Sequence, residues 1–249
     1  MKKFTLLRRV PAIRYFNERI ELSESIVTKI EDHWNGLIES GKSFTRGDVF
    51  TVKNVENIDN NVEIDIVLSD YAHYLATIHG VLEEKYFCRV VHSSIMIETS
   101  DNFLVFGEMN NNTALPGRIQ CVGGGITRED LSGNGILIDM ERNASNELVE
   151  EVGLSVNNHN QIEKFFPWAI VESGPQKSLG IVYWAKLSIN LEQFIEYYKE
   201  FEKELNKKVE QPELSKILFI EKDSMNKKEW LNKTGNPYAE YLPIIFENL

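Results

Sequence analysis

Three glutamates near the middle of the chain are spaced so that they can act together. Glu147, Glu150 and Glu151 lie in a segment whose apolar spacing and flanking residues predict a helix from Asp139 to Gly153. At about 3.6 residues per turn, their carboxylates share one face of this helix. Like charges at this spacing repel each other, and a cation would relieve the repulsion. Because clustered carboxylate oxygens suit Mg²⁺ or Mn²⁺, the segment indicates a divalent-metal site.

A glycine-rich segment precedes this helix and contains Gly123, Gly124 and Gly125 in succession. Consecutive glycines are costly to order, so they favour a place where the backbone turns sharply or approaches another group closely. Their amides can meet a phosphate, and Arg118 and Lys177 are candidates for contacting the distal phosphate or sugar. These five residues are the predicted substrate-binding positions. The acidic helix alone would favour a solvated surface, and the glycines shift the balance towards a binding site.

Residues 146–154, with the sequence NELVEEVGL, resemble the second half of the motif of the Nudix hydrolases, Arg-Glu-apolar-any-Glu-Glu-any-Gly-apolar. The resemblance implies that Glu147, Glu150 and Glu151 are catalytic residues and metal ligands, with a carboxylate helping to deprotonate the attacking water. It further implies Mg²⁺- or Mn²⁺-dependent hydrolysis of a nucleoside diphosphate linked to another group. Glu213, before an apolar strand, occupies a position where the family often has an additional glutamate near the metal, and a surface charge there is the alternative.

Three departures from the family motif leave the details open. Asn146 stands where the family has arginine, and Ile138 stands where its first glutamate would fall. The segment between Gly125 and Asn146 is also seven residues longer than the family spacing, so Asp139 or Glu141 is a candidate for the missing acidic role. A neutral asparagine orients the adjacent glutamate less well than arginine does. The alternative function is therefore a Nudix scaffold that has lost turnover and serves as a nucleotide-binding sensor.

The whole chain is similar to a narrower branch of the family, the UDP-glucose and UDP-galactose diphosphatases. The features that carry this similarity are an N-terminal unit, the extended glycine loop, the motif without its arginine, and the segment 68–77 with the sequence LSDYAHYLAT. The resemblance implies a UDP-sugar substrate and the products UMP and sugar 1-phosphate. It also implies a Nudix α/β/α sandwich with a mixed sheet in residues 89–249, preceded by a small α+β domain in residues 1–88. That N-terminal domain is a candidate for shaping the pocket or forming a homodimer interface.

Hydrophobic periodicity independently predicts an α+β fold with a mixed sheet, because strands come first and helices lie between and after them. The turn signals and apolar spacing place its elements along the chain. Helices are predicted at 23–41, 70–80, 139–153 and 191–205, a hairpin at 50–68, and strands at 94–99, 103–108, 166–171, 180–187 and 217–220.

Charge and composition exclude several classes of function. The 38 acidic side chains outnumber the 27 basic ones and give a net charge of −11, which repels nucleic acid and leaves a small nucleotide, held through cations, as the expected partner. No apolar stretch approaches the roughly 20 residues of a membrane span. The charged N-terminus does not fit a signal peptide, so we expect a soluble cytoplasmic protein. The histidines and the two cysteines lack zinc-site spacing.

Overall fold

The computed structural model describes residues 3–42, 44–58, 61–111, 115–207, 212–224 and 226–249. Within these residues, six strands and α-helices make up the N-terminal part, and the other strands and α-helices follow from residue 91 onward. The N-terminal elements are β1 (Phe4–Leu6), β2 (Ala12–Arg19), α1 (Glu24–Glu39), β3 (Asp48–Ile58), β4 (Asn61–Asp70) and α2 (Tyr71–Ile78). The later elements are β5 (Val91–Glu98), β6 (Phe103–Met109), β7 (Ile119–Gln120), α3 (Met140–Val152), β8 (Ile162–Ser173), β9 (Ser178–Leu187), α4 (Leu191–Lys207), β10 (Leu214–Glu221), α5 (Lys227–Lys233) and α6 (Tyr241–Phe246).

The larger sheet has the strand order β1-β8-β9-β5-β6-β10, with β7 paired to β6. Strands β5 and β9 run parallel and the other neighbours run antiparallel, so the sheet is mixed. Side chains of β5 alternate between its faces: Ile95 packs with α3 and α4, whereas Met96 packs with α5 and α6. Helices therefore cover both faces, which confirms the predicted α+β class and α/β/α layering.

The smaller sheet has the order β2-β4-β3, and α1 and α2 pack against each other beside it. Ile64 and Ile66 of β4 are completely buried in a core that also contains residues of β5, β9 and α3. The two sheets thus share one apolar core. Strand β1, at the start of the chain, pairs with β8 in the larger sheet, where the edge of β8 satisfies its backbone groups. The boundary at 88/89 stays a prediction.

Most elements predicted from the sequence are present with shifted ends. The helix predicted at 139–153 is observed as Met140–Val152, and the one predicted at 23–41 as Glu24–Glu39. Part of the predicted hairpin turn, residues 59 and 60, lies outside the described residues. Strands β1 and β2 were not predicted. No helix in the described part of the chain is long and apolar enough to cross a membrane.

Candidate functional site

Both ends of helix α3 are fixed by local interactions. At its start, the Asp139 carboxylate accepts a hydrogen bond from the backbone N–H of Arg142 at 3.0 Å. At its end, Gly153 adopts the left-handed conformation with φ 72°, and a Cβ there would lie 2.6 Å from the ring of Phe201. The buried side chains Ala144 and Leu148 attach the helix to the core. The acidic positions of α3 are therefore presented at a defined distance from the sheet.

The glycines form a bend that is pressed between β5 and α3. Gly123 has φ 143°, and a Cβ on it would lie 2.3 Å from the carbonyl oxygen of Ser93. The carbonyl of Gly124 accepts a hydrogen bond from the backbone N–H of Ser93 at 2.9 Å. A Cβ on Gly124 would lie 2.1 Å from Oε1 of Glu147, whereas Gly125 has nothing within 4 Å. Gly123 is thus required by its φ and by its approach to the backbone, whereas Gly124 approaches only the end of the Glu147 side chain and Gly125 approaches no described atom.

Glu151 is a buried carboxylate with only part of its hydrogen-bonding capacity used. It is 4% exposed, and its Oε1 accepts a hydrogen bond from the backbone N–H of Gly123 at 3.0 Å. Its Oε2 is buried and accepts no hydrogen bond from an N–H or hydroxyl group of the described residues, and the Glu147 carboxyl is close enough to share a proton with the Glu151 carboxyl. Burial raises the pKa of Glu151, and the charges of Glu147 and Glu213 raise it further, against the opposing effect of the Gly123 N–H. A cation at Oε2 would supply the missing contact and offset the repulsion between the carboxylates.

Glu147 lies one turn before Glu151 and half-buried against Gly124. Burial raises the pKa of Glu147 to about 7, and the charges of Glu150 and Glu213 add to the effect. Glu147 therefore lies close enough to Glu150, Glu151 and Glu213 to be affected by their charges. These four residues are the ligands predicted from the sequence spacing and the family resemblance.

The other two members of this set, Glu150 and Glu213, are exposed. Glu213 precedes β10, and its carbonyl accepts a hydrogen bond from the backbone N–H of Asn110, which holds it near β6. As the side chains stand, no three His, Cys, Asp or Glu groups within the described ranges are placed to hold an ion together. Coordination would therefore require side-chain movement, which the exposed Glu150 and Glu213 can make without disturbing the core.

Asp130 and Asn143 belong to the same region and were missed as functional candidates. Asp130 is buried in a short 3₁₀ helix, where its carboxylate accepts hydrogen bonds from the backbone N–H of Thr127 at 2.8 Å and from Asn143 Nδ2 at 3.1 Å. Asn143 lies one turn before Glu147, is 4% exposed, and has a buried Oδ1 with no partner. The charge of Asp130 also raises the pKa of Glu147. The spacing of Thr127 and Asp130, which fits a capping box, was the available signal.

The residues proposed to replace the missing motif glutamate lie further away. Asp139 caps the start of α3, about 12 Å along the helix axis from Glu147 at 1.5 Å per residue. Glu141 is exposed in the first turn, and Asn146 is exposed as well. Ile138 is buried, and its backbone N–H donates to the carbonyl of Ile13 in β2 at 3.0 Å. The added segment thus binds the smaller sheet, and Asp130 is the acidic residue that it brings towards Glu147.

A cavity of about 370 Å³ adjoins the glycine bend, and Arg118 and Gly123–Gly125 all contribute to its lining. Arg118 forms an ion pair with Glu240 at 3.6 Å. Lys177 is not part of this lining; its ammonium pairs with Glu84, and it lines a separate surface groove. Arg128 pairs with Asp48 at 2.9 Å. The structure therefore brings together four of the five predicted substrate-binding residues.

Comparisons by sequence gave no match: no protein-family model matches the chain, and no curated protein does. Solved structures with similar folds include DR0079 from Deinococcus radiodurans, with TM-score 0.42 and 15% identity, covering 64% of this chain and 82% of that one. The NUDIX domain of Shewanella oneidensis NrtR, complexed with ADP-ribose, has TM-score 0.39 and 13% identity, covering 71% and 94%. The Bacillus subtilis pyrophosphohydrolase BsRppH has TM-score 0.32 and 10% identity, covering 59% and 72%. Similarities of this size do not identify the activity of this chain.

Proposed function

We propose that this protein is a Nudix-type pyrophosphohydrolase that hydrolyses a nucleoside diphosphate linked to another group, with Mg²⁺ or Mn²⁺ as cofactor. The observation that carries the proposal is the incomplete hydrogen bonding of the buried Glu151 carboxylate. One of its oxygens is held by the Gly123 N–H, and the other is buried beside the charge of Glu147, with no N–H or hydroxyl donor among the described residues. Burial without a counter-charge disfavours the ionised form of Glu151, which is why its pKa is raised, and a bound cation would stabilise that form. The arrangement therefore favours a cation-binding role over a purely structural one.

The donor set fits a hard divalent cation. Glu147, Glu150, Glu151 and Glu213 would hold the metal, all through oxygen, and Mg²⁺ and Mn²⁺ prefer such ligands. When bound, the cation neutralises charge on the diphosphate and makes an attacking water more acidic. It also offsets the repulsion between an acidic protein of net charge −11 and an anionic substrate.

The reaction that these groups support is attack of water on one phosphorus of the diphosphate. The water oxygen forms the new P–O bond, a carboxylate of the cluster accepts the water proton, and the bridging P–O bond breaks. Arg118 and the bend at Gly123–Gly125 hold the substrate on the cavity side. With a UDP-sugar, which we propose as the substrate, the products are UMP and sugar 1-phosphate. Lys177 has no part in this arrangement as the structure places it.

A nucleotide-binding sensor is the second candidate, because Asn146 is exposed and cannot orient Glu147 as a buried arginine would. Glu147 instead lies against Gly124, and Asn143, one turn before it, donates a hydrogen bond to the buried Asp130 carboxylate. These contacts fix the surroundings of Glu147 without an arginine, which favours the enzyme over the sensor.

A coupled phosphatase assay separates the two functions. The protein is incubated with Mg²⁺ and a panel of UDP-sugars, ADP-ribose, dinucleoside polyphosphates and CoA, and released phosphate is measured after phosphatase treatment. We expect Mg²⁺-dependent turnover, highest for UDP-sugars. Glu141→Gln, on the exposed first turn of the same helix, should retain most of this activity and so controls for the loss of one surface charge. Binding without turnover on every compound would contradict the enzyme and support the sensor.

A further inference from the structure

The cavity beside the glycine bend contains hydrogen-bonding groups that the described part of the protein does not satisfy. Ser93 Oγ, Ser178 Oγ and Arg118 Nε are all buried and have no hydrogen-bond partner among the described residues, and all three residues line the cavity. Buried polar atoms are normally paired, so such a group on a cavity wall indicates a ligand that supplies the partner. Two hydroxyls and one N–H together can both donate and accept.

The lining of this cavity has little net charge. Arg118 is the single lysine or arginine among the described lining residues, and it is paired with Glu240. Asp48, on the rim, is paired with Arg19 and with Arg128. Burial, together with the charge of Arg118, lowers the pKa of His92 to about 4, so this imidazole is neutral at pH 7. A neutral polar group suits these walls better than a phosphate does.

One wall is aromatic and comes from the N-terminal part of the chain. The rings of Tyr71 and Tyr74 in α2 are stacked, with centroids 5.8 Å apart and planes at 29°, and both residues line the cavity. The Asp70 carboxylate caps α2 by accepting from the backbone N–H of His73 at 3.0 Å, which fixes the start of this helix. Aromatic faces of this kind stack on planar heterocycles.

The glycine bend lies between this cavity and the carboxylates. Gly123 and Gly124 line the cavity, while Gly123 also donates to Glu151 and Gly124 contacts Glu147. A ligand that spans the bend would therefore place one end in a neutral aromatic cavity and its anionic centre near the acidic cluster.

We propose that this cavity binds the nucleoside half of the substrate, with the base against Tyr71 and Tyr74 and with hydrogen bonds to Ser93, Ser178 and Arg118. The inference rests on the proposed function, since it assigns the diphosphate to the carboxylate side of the bend. A volume of about 370 Å³ lies within the range of small-molecule pockets, which is roughly 300–1,000 Å³. The N-terminal unit then determines which nucleotide is accepted.

Calorimetric titration of the full chain with ligands that differ only in the base tests this proposal. UMP, AMP and ribose 5-phosphate are titrated in the presence of Mg²⁺, and glucose 1-phosphate is titrated as the other proposed product. We expect at least one nucleoside monophosphate to bind about tenfold or more tightly than ribose 5-phosphate. Tyr71→Ala should abolish that difference and leave glucose 1-phosphate binding unchanged. Phe16→Ala, which removes an exposed aromatic side chain of β2 outside the cavity, should preserve the difference.

Ser178→Ala provides a second variant in case Tyr71→Ala does not fold, and it should weaken nucleotide binding by about threefold or more. The proposal is overturned if a folded Tyr71→Ala protein keeps the parent preference for a base, or if the variants weaken glucose 1-phosphate instead. Because binding does not require turnover, a base preference in a protein that hydrolyses nothing would support this inference and contradict the proposed function. Turnover without any base preference would do the reverse.

Discussion

Two buried glutamates near strand β5 have the same exposure and opposite surroundings. Glu98, at the C-terminal end of β5, is 5% exposed, and Glu151, beside the glycine bend at the other end, is 4% exposed. Both Glu98 oxygens accept from Lys222 Nζ at 3.0 Å, and one also accepts from Trp184 Nε1 at 2.7 Å. Glu151 has one backbone N–H donor and a second oxygen without an N–H or hydroxyl donor among the described residues.

The two carboxylates differ in how their charge is satisfied. A buried charge is tolerated when cations and donors satisfy it, and Glu98 meets that condition within the protein. Glu151 does not, and the charges of its neighbours Glu147 and Glu213 oppose its ionisation further. Glu98 is therefore satisfied within the protein, whereas the surroundings of Glu151 support its proposed role as a metal ligand.

The largest expected effect comes from Glu151→Gln. The amide oxygen can still accept from the Gly123 N–H, so the protein should fold, but it cannot supply the charge that a divalent cation needs. Turnover in the coupled phosphatase assay should fall by about a thousandfold or more. Stability without metal should be equal to or above that of the parent, because the substitution removes repulsion with Glu147. Near-normal turnover would exclude Glu151 from the reaction.

Removal of the metal should produce the next largest effect. At a Mg²⁺ concentration one hundred times its Kd, the folded state should gain about 2.7 kcal/mol, and EDTA should reverse the gain. Differential scanning calorimetry would record this as a rise in Tm of roughly 5–10 °C for a chain of this size. Glu151→Gln should lose the rise and Glu98→Gln should keep it. An equal rise in Tm in both variants would show that Glu151 is no more important for metal binding than Glu98.

Glu98→Gln should act on stability instead of turnover. It leaves Lys222 with a weaker partner at a site that is mostly buried, so the free energy of unfolding should drop by about 1–3 kcal/mol. Urea denaturation measures this drop. Turnover per folded molecule should remain close to the parent value, and a specific loss of turnover at unchanged stability would reverse the two assigned roles.

The smallest effect separates two adjacent glycines. A methyl group in Gly124→Ala would displace the Glu147 carboxylate, whereas one in Gly125→Ala would enter open space. Mn²⁺ titration calorimetry should show affinity weakened by about tenfold in the first variant and parent-like in the second. If both variants bind Mn²⁺ equally well, the contact between Gly124 and Glu147 does not position a ligand.

Local features of the site were predictable from the sequence because they depend on short-range rules. The start of α3 at Asp139 and its end at Gly153 follow from capping, and the shared face of Glu147 and Glu151 follows from helical periodicity. The clustering of glycines likewise indicated a close approach, which Gly123 and Gly124 both make.

Long-range features were not predictable in this way. Strand β1 finds its partner in β8 across more than 160 residues, and nothing in its three residues specifies that edge. The added segment before α3 was visible only as extra length, although it pairs with β2 and brings Asp130 to Asn143. Lys177 was expected near the substrate, but its pairing with Glu84 depends on how the β8–β9 turn meets the N-terminal part.

The most direct test of the central claim is a crystal of the protein soaked with Mn²⁺ and measured at a wavelength where manganese scatters anomalously. The account predicts an anomalous peak in contact with Glu151 Oε2 and with at least one oxygen of Glu147, Glu150 or Glu213. No peak there at saturating Mn²⁺, with Glu151 Oε2 still lacking a partner, would contradict it.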